Sequence, residues 1–193
     1  MMRPLFEPLS DDHARPDEWS WPLGFVIGGM ATYADQSERE EHLAGQYFTA
    51  AEALVDAILD KRVADYEVAN AALFLYRHCI ELLLKAGLPS QVRARKNIHH
   101  LGNLAKSYAH HQQRAGRTVP AWVIGRCEEL ASIDPGSEAF RYGECGVPEA
   151  KNRAPLVEEI HVNLVHLKDT MKTLNAALAE QNRLIRMERV ERP

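Results

Sequence analysis

The stretch FLYRHCIELLLKAGL (Phe74–Leu88) is apolar on more sides than a surface helix requires. At about 100° per residue, Ala72, Leu73, Leu75, Tyr76, Cys79, Ile80, Leu82, Leu83 and Leu84 cover an arc of roughly 200°. A helix packed on one neighbour needs an arc only somewhat over ~100°. The pattern predicts a central helix from about Tyr66 to Ala86, ended by Gly87 and Pro89 and clasped from at least two sides. One polar strip interrupts it: Arg77, His78, Glu81 and Lys85. Arg77–Glu81 and Glu81–Lys85 are i,i+4 neighbours, so an ion-pair ladder is available along the strip.

The same periodicity places four more helices. Ser37 and Glu40 have capping-box spacing ahead of Leu43, Tyr47, Ala50, Leu54, Ala57 and Ile58, a face that runs to about Arg62. After the polar connector SQVRARKN, Asn97 is placed to cap a third helix that stops near Gly116. A fourth runs from Pro120 to Ile133 with Trp122, Val123, Cys127 and Leu130 inward. DPGSEAFRYGECGVP reads as a glycine-rich turn around one helical turn at Ser137–Tyr142. The last helix starts after Asn163, with Leu164, Leu167, Met171, Leu174, Leu178 and Ile185 along one seam. That seam packs either inside its own bundle or against a second copy.

Residues 1–34 carry Pro4, Pro8, Pro16 and Pro22 with Trp19 and Trp21, a pattern incompatible with a helix. The expected organisation is a non-helical Pro/Trp-rich N-terminal arm (1–34), a helical domain (35–182) and a charged C-terminal tail (183–193) that frays or projects. The fold class is all-α, a five-helix bundle.

A chain of 193 residues is long enough to bury a core. Its net charge of −4 argues against non-specific coating of nucleic acid, while leaving room for a local basic patch. No apolar run reaches the ~18 residues of a membrane span. The cysteines, Cys79, Cys127 and Cys145, are odd in number and widely spaced, which fits a reduced, cytoplasmic compartment. His99, His100, His110 and His111 form two pairs. Eleven residues of straight helix separate His100 from His111, a rise of ~16 Å, so the pairs cannot share one zinc ion. Neither a metal nor another cofactor is expected. Cys145 has no histidine beside it in sequence and reads as an incidental loop cysteine.

Three motifs stand together: Tyr76-Arg77-His78 with Ile80-Glu81-Leu82 and Leu84-Lys85-Ala86, then His100-Leu101, then Asp134, Ser137 and Phe140-Arg141-Tyr142. In them the chain resembles the HEPN family of small helical domains, over roughly Asp35 to Leu178. Gly143 stands where the family pattern has proline. Many HEPN domains are dimeric, metal-independent ribonucleases of toxin–antitoxin and anti-phage systems that use an R-x(4–6)-H motif near the start of a late helix. Others lack it and serve as binding or assembly modules. Spacings that fit here include Arg95 to His100 and Arg93 to His99, at the start of the third helix instead.

The resemblance implies a HEPN-like bacterial defence or stress protein that contacts RNA or a nucleotide, as a homodimer. As an enzyme it would cleave RNA without metal. His100 would move protons and Arg95 would clamp phosphate, with Arg77, His78, Glu81 and Arg141 positioning the site. The polar strip has two readings at this stage. Either it orients the central helix, with Asp134 or Arg141 as buried partner, or Glu81 and His78 line a cleft for a base or phosphate. The alternative function is a non-catalytic assembly module that binds a partner protein. A third reading is an antitoxin-like partner that blocks another component's site.

Overall fold

The computed structural model describes residues 33–93, 99–134, 136–142, 144–146, 153–155 and 160–191. The chain divides into two units, Met1–Ala34 and Asp35–Pro193. The arm proposed for 1–34 lies outside the described residues except for 33 and 34.

The described chain is predominantly helical: α1 (Gln36–Leu59), α2 (Asp65–Ala86), α3 (Ser90–Arg93), α4 (Leu101–Arg114), α5 (Ala121–Ile133), α6 (Ala139–Tyr142) and α7 (Leu164–Glu191). Two short strands, β1 (Glu144–Gly146) and β2 (Arg153–Pro155), pair antiparallel with Cys145 opposite Ala154. The all-α class expected from the sequence holds, and this small ribbon is an addition to it. Three-residue strands are too short to leave an alternating pattern among the glycines of this segment.

α2 is the core helix. α1, α4, α6 and α7 all pack on it, and Ala72, Tyr76, Cys79, Ile80, Leu82, Leu83, Leu84 and Ala86 are buried. α1 turns a face to it centred on Ala44, Ala51 and Val55, with Leu43, Tyr47, Phe48 and Leu54 half-buried alongside. Small residues at the contact let the two backbones approach; of the expected face, Ala57 is buried and Leu43, Tyr47 and Leu54 are half-buried. The seam of α7 packs inside its own bundle: Met171, Leu174, Leu178 and Ile185 are buried.

Several local expectations are corrected. α1 is capped by Asp35, whose carboxylate accepts from the Glu38 amide at 2.9 Å. Ser37 and Glu40 are instead buried beneath Arg93, which donates to Ser37 Oγ (2.7 Å), Glu40 Oε2 (2.9 Å) and the Leu88 carbonyl (2.7 Å). Arg93 thus ties the start of α1 to the chain leaving α2. Trp122, expected inward, is exposed, while Val123, Cys127 and Ala131 form the inner side of α5. The tail expected to leave the bundle at 183 continues α7 to Glu191. Ile185 is buried there, Arg186 pairs with Glu41, and Glu188 pairs with Arg117.

Gly87, the C-cap of α2, is glycine for a steric reason. Its φ is −83°, a value open to any residue. A Cβ there would lie 2.3 Å from Tyr108 Cε2 and 2.5 Å from Asn182 Oδ1. Around this point Tyr108 donates to Asn182 (3.1 Å), Asn182 to the Leu83 carbonyl (2.8 Å) and Gln112 to the Gly87 carbonyl (3.0 Å). These bonds satisfy buried polar groups that would otherwise destabilise the junction of α2, α4 and α7.

Candidate functional site

The polar strip of α2 is the heart of the site. Arg77 is 0% exposed, Glu81 1% and Asp134 1%. Arg77 Nη1 donates to Glu81 Oε2 at 2.7 Å, its Nη2 to the His99 carbonyl at 2.7 Å, and its Nε to the Asp134 carbonyl at 2.9 Å. Asp134 Oδ2 lies 3.3 Å from the same Nε, an ion pair without hydrogen-bond geometry. Asp134 Oδ1 accepts from the amides of Glu138 (2.7 Å) and Ala139 (3.0 Å) and so anchors the start of α6. One buried guanidinium therefore joins α2, the loop before α4 and the end of α5. Its counter-charges are Glu81 and Asp134.

Glu81 gathers nitrogen groups on both oxygens. Oε1 accepts from Lys85 Nζ (2.6 Å) and stands 2.8 Å from His99 Nδ1. Oε2 takes Arg77, and His78 Nδ1 lies 3.9 Å away. Burial alone would raise this carboxyl's pKa. Contacts from His78, Lys85 and Arg77 outweigh it and hold the group well below the usual carboxylate range, so it is ionised.

A column of rings borders the cluster. His78 stacks on Phe74 with centroids 5.6 Å apart and planes 9° apart, and meets Tyr47 edge-on at 4.6 Å. Arg141, exposed on α6, lies over the other partner of that stack, with its guanidinium carbon 5.6 Å from the Phe74 centroid. Arg141 also donates through Nε to the Ser137 carbonyl. Ser137 has φ +67°, a left-handed conformation uncommon outside glycine, and its side chain is buried.

The expected catalytic pair is only half in view. Arg95 and the anticipated cap Asn97 lie outside the described residues. α4 begins at Leu101, and His100 itself is the cap: its Nδ1 accepts from the Asn103 amide at 3.3 Å. His99 is the histidine bound to the buried cluster, by ring and by backbone carbonyl. Its signal in the sequence was its position beside His100 and its spacing to Arg93. Arg93 is part of the α1–α2 tie, so that spacing matched residues with separate roles.

Elsewhere, a cleft of ≈540 Å³ opens between α2, α5, α6 and α7, with Leu73, Ile133, Phe140 and Met171 among its apolar walls and His161 and His166 at its polar edge. Neither His99 nor His100 lines it. Cys79 and Cys127 are buried, and burial pushes both thiols up to about 12, so neither is a nucleophile near neutral pH. Among the described residues no group of three or more His, Cys, Asp or Glu side chains is placed to hold a metal ion. No described helix is long and apolar enough to cross a membrane.

Set against protein-family models, curated proteins and solved structures, the chain gives no match in any of the three comparisons.

Proposed function

We propose that the chain is a HEPN-like cytoplasmic protein of a bacterial defence or stress system, acting as a homodimer. It contacts single-stranded RNA, or a nucleotide, on the face where His78, Lys85, His99 and Arg141 gather. The observation that carries this reading is the pairing of stacked rings with cations. Phe74 and His78 lie flat on one another beneath Arg141, and Lys85 and His99 meet on the carboxylate beside them. Bases stack on such rings, and phosphates seek such cations, without any sequence preference. Residues of the motifs that carried the family resemblance also meet in the fold: Arg77 pairs with Glu81 and Asp134, and Arg141 lies over Phe74. In this reading RNA is cleaved without metal, and the proton-transfer group belongs to the His99–His100 pair.

The test is a labelled single-stranded RNA titrated with purified protein in EDTA, at low and at physiological salt. Binding that weakens with salt, and that drops several-fold in Arg141→Ala with the fold unchanged, is expected. Absence of binding at low salt would overturn the reading. A non-catalytic assembly module is then the alternative, favoured by one observation: Arg77 and Glu81 are wholly internal, as a purely structural strip would be.

A further inference from the structure

We infer that Glu81 and His99 form a carboxylate–imidazole pair in which Nε2 of His99 is the proton-transfer atom of the site. Which substrate it serves rests on the RNA reading above; the pair itself does not.

The pair is built from opposite environments. Glu81 is 1% exposed, whereas the His99 side chain is 67% exposed, yet the two meet at 2.8 Å through Nδ1. The ring therefore turns Nδ1 toward the core and its other edge toward solvent. An ionised carboxylate only accepts hydrogen bonds. Nδ1 must then carry the hydrogen, and the neutral ring holds its lone pair on Nε2. The main chain is fixed too, because the His99 carbonyl accepts from Arg77 at 2.7 Å. His99 is thus held by both its ring and its backbone. Such second-contact partners set a histidine's tautomer and aim. The other groups facing the carboxylate, Arg77, Lys85 and His78, keep it charged and in place.

On RNA, Nε2 of neutral His99 takes the ribose 2′-hydroxyl proton. The 2′-oxygen bonds to phosphorus, the bond from phosphorus to the 5′-oxygen breaks, and that oxygen takes a proton from water. The hydroxide left behind removes the proton from His99. Glu81 touches no reacting atom and is a positioning residue.

Two measurements test this. Nitrogen NMR of the histidine side chains above neutral pH is expected to find His99 as the Nδ1–H tautomer. Glu81→Gln, where it stays folded, is expected to lose that preference. A His99 ring in the Nε2–H form in the wild type overturns the pair, whatever happens with RNA. The second measurement is cleavage of single-stranded RNA in EDTA. His99→Gln is expected to weaken binding by no more than several-fold and to lose cleavage by on the order of 10²–10⁴-fold, while His110→Gln, exposed on α4, cleaves like the wild type. Cleavage kept in His99→Gln but lost in His100→Gln overturns the assignment. A wild type with the expected tautomer but no affinity for RNA supports the pair and refutes only its substrate.

Discussion

Arg77 carries a full charge and has no exposed surface, so its partners decide whether it stabilises the fold. It meets Glu81, the Asp134 carbonyl and the His99 carbonyl within 2.9 Å. Removing one member of a buried pair leaves the other charge without compensation, which costs about 3–5 kcal/mol. Arg77→Met is therefore expected to lose that much in urea denaturation. A loss below about 1 kcal/mol would mean that the cluster is not closed to water. The pH dependence follows from Glu81. Its folded pKa is depressed, so its contribution is complete above its unfolded value of about 4.3 and is lost as pH falls toward the lower folded value. The stability gap between wild type and Glu81→Gln should thus be narrower at pH 3 than at pH 7. An equal or wider gap in acid would contradict the charged, buried assignment.

At the scale of elements, two glycines make opposite predictions. Gly87 sits against Tyr108 and Asn182, and a methyl group there must push apart α4 and α7. Gly87→Ala should cost about 1–3 kcal/mol. Gly45, inside α1, has nothing within 4 Å of its missing Cβ, and Gly45→Ala should gain about 0.5–1 kcal/mol. Thermal melts of the two variants read the difference directly. Ile185 tests the extended α7: buried as it is, Ile185→Ala should cost about 2–5 kcal/mol, whereas a frayed tail would tolerate it.

The long helices were legible because each carries its apolar period for three turns or more, and α2 most clearly because its greasy arc exceeds what one neighbour can cover. The tail misled because Arg186 and Glu188 look solvated in sequence, while in the fold they pair with Glu41 and Arg117 across more than seventy positions. Caps misled for a related reason. Ser37 and Glu40 had the right spacing for a box, but Arg93 offers them a buried ion pair that local sequence cannot reveal. The polar strip was legible as residue types, in Arg77, His78 and Glu81. The contact of His99 with Glu81 was not, because it depends on which of two adjacent rings faces a carboxylate eighteen positions away.

For the molecule as a whole, the net charge of −4 sets a condition on any contact with RNA. On the proposed reading, attraction is local, at the face bearing Lys85 and Arg141, and therefore weakened by salt. The most direct measurement is backbone amide NMR of the intact chain as a short single-stranded RNA is added. Shifts concentrated at His78, Lys85, His99 and Arg141 are the predicted result. Shifts confined to the α2–α5–α7 cleft, or none at low salt, would contradict it.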